Sequence, residues 1–307
     1  MSASTASPVE RSDPQAGAEP LGGLGRPIKG PSALGSEPRR LWQLTWALAK
    51  TEFKLAFFGS VLGYLWQLMR PLLLFGVIFG VISLVAKGLG KGLPFYPVSV
   101  LLGIVLFTFY SESTGGSVTC LILRENLVRK IDFPRLAVPL STVMTALLNV
   151  SLNLVPVIVF LLATGGSVQA SWLELPLLVL LLAAFATGLG MILSIGYVYY
   201  RDVRPIWDVV LQMTFYASPI FYPITSVEKN FNVLGLDVNF AHLMMANPFV
   251  AILVQARHVL IAPSYPTAAS AIGGTPMLLI PIGIGIAVFA TGFLLFDRQA
   301  PRVAEQL

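Results

Sequence analysis

Long apolar runs alternate along this chain with short polar stretches that hold most of its charge. The apolar runs lie near 61–86, 95–119, 137–163, 172–199, 206–224 and 275–296. Runs beyond about 18 apolar residues reach across ~30 Å of hydrocarbon as helices. The strict alternation of a membrane barrel is missing. Six spanning helices are therefore predicted. The first carries Gly59-x-x-x-Gly63 and Gly76-x-x-x-Gly80, spacings that let helix backbones approach closely.

Residues 39–58 (RRLWQLTWALAKTEFKLAFF) follow another pattern. Arg39, Arg40, Lys50, Glu52 and Lys54 interrupt them, while Trp42, Trp46, Phe53 and Phe57 recur at near-helical spacing. This predicts an amphipathic helix lying in the headgroup region; a cytoplasmic helix packed on its neighbours is the alternative. Residues 1–38 are rich in Ser, Ala, Gly and Pro with both charge signs, the composition of a disordered tail. They lack the apolar core of a cleaved signal peptide. The apolar stretch 240–262 contains His242, Asn247-Pro248, Arg257 and His258, which are costly in lipid. The fifth run ends in the helix breakers Pro219 and Pro223. Residues 225–270 are accordingly expected to form an outward-facing re-entrant or interfacial hairpin.

The expected fold is all-α integral membrane. It has six transmembrane helices, an N-terminal amphipathic interfacial helix and an outer re-entrant hairpin between spans five and six. Residues 59–297 make the six-span body and 298–307 a C-terminal tail. Composition agrees: 55% of the 307 residues are hydrophobic and 11% charged, against roughly 25% charged in soluble domains. Cytoplasmic loops gather Lys and Arg. With a cytoplasmic N-terminus, fifteen of the twenty basic residues fall inside, including Arg124, Arg129, Lys130 and Arg135 after the second span. Both termini are thus expected in the cytoplasm.

No catalytic constellation is visible. One cysteine, Cys120, and two histidines, His242 and His258, make a structural zinc site improbable. There is no Gly-x-x-x-x-Gly-Lys-Ser/Thr loop; the run from Lys87 to Gly92 lacks its leading glycine and its hydroxyl. The chain is not expected to hydrolyse ATP. The loop 121–136 holds a short polar helix from Arg124 to Lys130 ahead of Phe133-Pro134. It suits docking into a groove on a cytoplasmic partner, and equally suits a basic loop that fixes topology.

This loop, with Asn126-Leu127-Val128-x-Lys130-x-x-Phe133-Pro134-Arg135, resembles polysaccharide-export permeases of the type-2 ABC class, which export O-antigen, teichoic-acid and galactan chains. FGSVLGYLWQLMRPLLL (58–74), YYRDVRPIWDVVLQMTFYASPIFYP (199–223) and NPFVAILVQARHVL (247–260) agree in the same order. Within the family the likeness leans toward the galactan permease of mycobacterial-type cell walls. The resemblance implies a bacterial inner-membrane homodimer paired with separate ATPase subunits, which would hold ATP and Mg. It implies a polyprenyl-pyrophosphate-linked glycan as substrate, lipid as surroundings and no nucleic-acid partner. Arg124, Glu125, Asn126, Leu127, Arg129 and Lys130 occupy its coupling-helix position. Trp42, Trp46, Lys50, Phe53, Lys54 and Phe57 occupy its interfacial helix, and Tyr222, Pro223, Asn247, Pro248 and Arg257 its outer gate.

A sugar chain needs aromatic faces to stack on and polar partners for its hydroxyls. Candidates are Tyr64 and Trp66 in the first span, Phe107, Phe109, Tyr110 and Glu112 in the second, and Phe215 and Tyr216 in the fifth. Each aromatic could instead pack in the core or face lipid. Arg70 and Glu112 are charges inside spans and should face a partner or water. Arg70 either meets the substrate's pyrophosphate or pairs with Glu112. Arg201-Asp202, Arg204 and Asp208 are expected to form a cytoplasmic ion-pair knot. A permease for small hydrophobic drugs or lipids is the first rival reading, and a polytopic polyprenyl-sugar transferase the second.

Overall fold

The computed structural model describes residues 38–306 apart from 57, 59–62, 86–91, 130–132, 228–229 and 234–235. The expected N-terminal tail, Phe57 and Lys130 therefore lie outside the described residues. Among those described, regular structure is helical apart from one small strand pair.

Helix α1 (Pro38–Leu55) opens on a proline, whose missing N–H is harmless in a first turn. Leu41, Leu44, Thr45, Leu48 and Ala49 form its inward stripe at helical spacing, and Trp42 and Trp46 point away, 59% and 43% exposed. The amphipathic helix of the sequence reading is thus present, with its tryptophans on the outer face. It packs along α5 (Ala137–Ala163), after α2 (Tyr64–Val85), α3 (Tyr96–Leu123) and the one-turn α4 (Glu125–Val128). Then follow α6 (Leu175–Tyr199) and α7 (Val203–Ala217). An antiparallel pair, β1 (Asn230–Val233) and β2 (Leu236–Asn239), sets Asn230 opposite Asn239. Short helices α8 (Phe240–Met245), α9 (Pro248–Leu260) and α10 (Ala268–Ile272) lead to α11 (Leu279–Gln306).

Among the described residues, four helical segments are long and apolar enough to cross a membrane: Tyr96–Leu123, Ala137–Ala163, Ala170–Tyr199 and Thr275–Ala300. The expected first and fifth spans are shorter. The apolar stretch of α2 is Leu65–Val81. Helix α7 stops at Ala217, where Ser218 turns extended (ψ 148°) ahead of Pro219. A residue before proline is pushed out of the helical region, so the expected 206–224 is cut at its end. Within 240–262, Phe240, His242 and Leu243 of α8 are exposed, while most of α9 is buried and packs on α3, α6 and α11.

Helix α3 is the hub, packed against α2, α5, α6, α7 and α9. Two of its buried hydroxyls are satisfied within the helix: Thr114 Oγ1 donates to the Tyr110 carbonyl at 2.8 Å and Ser117 Oγ to the Ser113 carbonyl at 2.6 Å. A methyl on Gly190 of α6 would sit 2.7 Å from Ser117 Oγ, and one on Gly188 would sit 2.6 Å from Phe289 Cα of α11. These small residues set the helix separations. Gly76 and Gly80 do not; a methyl there would meet nothing within 4 Å of it in this chain.

Candidate functional site

Helices α2, α3 and α7 border an open groove of ≈ 450 Å³. Helix α3 contributes Phe107, Thr108, Ser111 and Glu112. Helix α7 contributes Asp208, Leu211, Gln212, Phe215 and Tyr216, one stripe at spacings of three and four. Leu74 of α2 closes the side. Phe107 and Phe215 meet at 4.8 Å between ring centres, and Tyr216 lies edge-on to Phe215 at 5.4 Å. Ring faces and oxygen-bearing side chains thus alternate along one surface.

Glu112 is held by two amides: Gln67 Nε2 of α2 donates to it at 3.2 Å and Asn149 Nδ2 of α5 at 2.9 Å. Of the two alternatives for Arg70, the pair with Glu112 is not formed. Arg70 is exposed on α2, outside the groove lining. Of the other path candidates, Tyr110 is buried and stacks on Phe185 at 6.0 Å, Phe109 is core, and Trp66 is 47% exposed away from the groove. Tyr64 begins α2, and its side chain lies outside the described residues. The sequence reading did not place Thr108, Ser111 or Gln212 here and gave Asp208 only to an ion-pair knot. The helical repeat Asp208, Gln212, Phe215, Tyr216 was the signal on α7, and the four-residue steps Phe107–Ser111 and Thr108–Glu112 were the signal on α3.

A second arrangement surrounds α4. Arg124, at the α3–α4 junction, forms an ion pair with Glu52 of α1. It also donates to the Val138 carbonyl at 3.1 Å and to Ser141 Oγ at 3.2 Å. Burial pulls its pKa below the ordinary arginine value. Thr145 Oγ1 reaches the same Glu52 at 3.3 Å. Arg124 therefore turns inward, while Asn126 and Arg129 are exposed and Arg129 pairs with Glu125 at 2.8 Å. Leu127 and Val128 face a small core built with Leu44 and Leu48 of α1 and Phe296, Ala300 and Val303 of α11. Buried Arg135 fastens this block: it donates from Nε to the Val128 carbonyl at 3.3 Å and from Nη1 to the Ala300 carbonyl. The expected knot reduces to Arg204–Asp208 at 3.5 Å, with Arg201 over the Tyr197 ring at 5.2 Å.

The family model described as ABC-2 type transporter matches residues 43–246. The chain belongs to the ABC-2 type transporter family. It is 28% identical over 276 residues to the O-antigen export system permease protein RfbA of Myxococcus xanthus, covering 88% of this chain and 98% of that one. It is 26% identical to RfbA of Klebsiella pneumoniae (87% and 96% covered). It is 23% identical to the polysialic acid transport protein KpsM of Escherichia coli (80% and 92% covered). This ABC-2 permease is a multi-pass protein of the bacterial inner membrane. It works with an ATPase on a separate subunit and is not itself an enzyme.

The expected outer-gate residues of the permease sit around the broken end of α7. Arg257 of α9 is 4% exposed and donates to the carbonyls of Pro219 and Ile220, each at 2.6 Å. Tyr222 OH donates to the Ala217 carbonyl at 2.8 Å, and Pro223 begins the following turn. Asn247 caps α9 by accepting the Phe249 N–H at 3.0 Å, with Pro248 in the first helical position. The polar pair that looked costly in lipid is a helix start.

Proposed function

We propose that this permease moves a polyprenyl-pyrophosphate-linked polysaccharide from the cytoplasm to the outer side of the inner membrane. The α2–α3–α7 groove is the observation that carries the reading. Aromatic rings for sugar faces and Ser111, Thr108, Gln212 and two carboxylates for hydroxyls share one surface. Helices α2 and α7 serve as the first and fifth of six spans. Both termini face the cytoplasm, and 225–270 forms the outer gate, with α9 dipping into the body. Two copies enclose the path. The outward face of α2, with Val77 and Val81 more than half exposed and open space beside Gly76, supports that pairing. The ATPase holds ATP and Mg and pushes on 121–136, a rigid-body drive.

One observation favours the rival reading of a small hydrophobic cargo. A cleft of ≈ 390 Å³ between α6, α9 and α11 is lined by Leu178, Phe185, Ile252, Ile282 and other apolar side chains. Depleting the chain in its own cell separates the two. The export reading expects lipid-linked glycan to accumulate on the cytoplasmic side. Normal surface glycan in depleted cells overturns it.

A further inference from the structure

We infer that Glu112 makes the groove selective for glycans free of anionic sugars; this rests on the export reading above. The groove holds two carboxylates in different states. Asp208 has Arg204 beside it at 3.5 Å, and both side chains are about half exposed, so that charge is locally offset and well screened. Glu112 has Gln67 and Asn149 instead. Two neutral amides fix its position and bring no compensating charge. Among the described residues no lysine or arginine pairs with it. Arg70, the only cation in α2, stands outside the groove lining.

Charge in a low-dielectric span acts strongly on what passes it. Sugar hydroxyls donate to a carboxylate in charge-assisted bonds, while their ring faces meet Phe107 and Phe215. A uronic or sialic acid brings a second carboxylate to a site with no cation to bridge the two. Like charges so placed disfavour the wrong partner more than they help the right one. Glu112 is thus a specificity-determining residue, and the preferred cargo is a neutral or amino-sugar polymer.

The test uses the full permease with its ATPase in cells deleted for their own exporter. One strain makes a lipid-linked glycan of neutral hexoses, the other the same backbone carrying uronic acid. Surface glycan is measured per lipid-linked precursor. The neutral polymer should exceed the acidic one by at least about tenfold. Glu112→Gln should shrink that ratio to about threefold or less, whatever it costs neutral export through the lost hydroxyl contacts. Gln67→Lys, which places an ammonium beside Glu112, should shrink it too, so the idea does not depend on one variant folding. Asp208→Asn, in a half-exposed and well-screened pair, should move the ratio much less than Glu112→Gln does. A wild-type ratio near one overturns the inference, as does a ratio that neither Glu112→Gln nor Gln67→Lys moves, or one that Asp208→Asn shifts equally. If neither polymer reaches the surface, the export reading fails and the selectivity with it.

Discussion

Arg257 donates its Nη2 to the backbone carbonyl of Ile220 at 2.6 Å, across 37 residues of chain. The chain leaves the helical path at Ser218, so the carbonyls of Pro219 and Ile220 just beyond α7 lack the amide partners a continued helix would give them, and buried carbonyls must find some. A planar guanidinium on α9 reaches two at once, the Pro219 carbonyl also at 2.6 Å. Gly103 of α3 makes the room: a methyl there would press on Ile220 Cγ2 at 3.1 Å. Arg257→Met should strand these acceptors and cost about 2–4 kcal/mol. Arg257→Lys, a point donor without the fork, should recover only part. Thermal unfolding of the purified permease in detergent checks both, with midpoints ordered wild type, Lys, Met. An Arg257→Met midpoint equal to wild type would show that the carbonyls find other partners.

The Glu52–Arg124 ion pair makes a different prediction, because it joins two elements that the ATPase reading needs to move together. Glu52→Gln and Arg124→Gln should each weaken ATP-driven export. Their effects should not add, with an interaction of about 0.5–2 kcal/mol in a double-mutant cycle of stability. Swapping the charges should restore only part of the function, since Arg124 also holds the Val138 carbonyl and Ser141. Strict additivity would mean that α1 and the α3–α4 junction are held by packing alone.

The helical class, the amphipathic α1 and the polar elbow were legible because each rests on a local pattern: a run, a period, a charge cluster. What was not legible depends on direction. Nothing in the spacing of Trp42 and Trp46 says whether they face the core or leave it to Leu41, Leu44 and Leu48. Arg124 and Arg129 look alike in the sequence, yet one turns inward and the other stays in solvent; only the position of Glu52, 72 residues earlier, separates them. Glu112 offered an obvious cation, Arg70, but α2 turns Gln67 toward it instead. In the α7 stripe the aromatics drew attention and the polar residues between them did not, although one face carries both.

The close crossing of α6 and α11 was equally hidden, since Gly188 and Gly292 belong to no shared motif. Gly292→Leu should overfill the contact with the Gly188 backbone and cost about 1–3 kcal/mol. Gly76→Ala, where a methyl meets nothing within 4 Å, should leave the stability of a single permease chain unchanged. The level of each variant in the membrane and its melting temperature are the measurements. Equal loss from both would contradict the assignment of tight packing to the α6–α11 crossing.

The exposed face of α4 gives the sharpest functional test, because it separates folding from drive. Glu125 and Arg129 pair with each other at 2.8 Å and are both partly exposed, so the pair itself contributes little to stability. In Glu125→Arg with Arg129→Glu the same two charges remain within reach, in the order that a helix favours less by a few tenths of a kcal/mol. The buried anchors Val128 and Arg135 and the half-buried Leu127 and Arg124 are untouched. Melting temperature and membrane level should therefore match wild type, while the surface offered to the ATPase has its charges reversed. Export should fall by about tenfold or more, as charge reversal at an interface predicts, and ATP hydrolysis should become insensitive to the permease. Wild-type export by the double variant would mean that the motor docks elsewhere; restoration of export by compensating charge changes on the ATPase would place its groove against this turn.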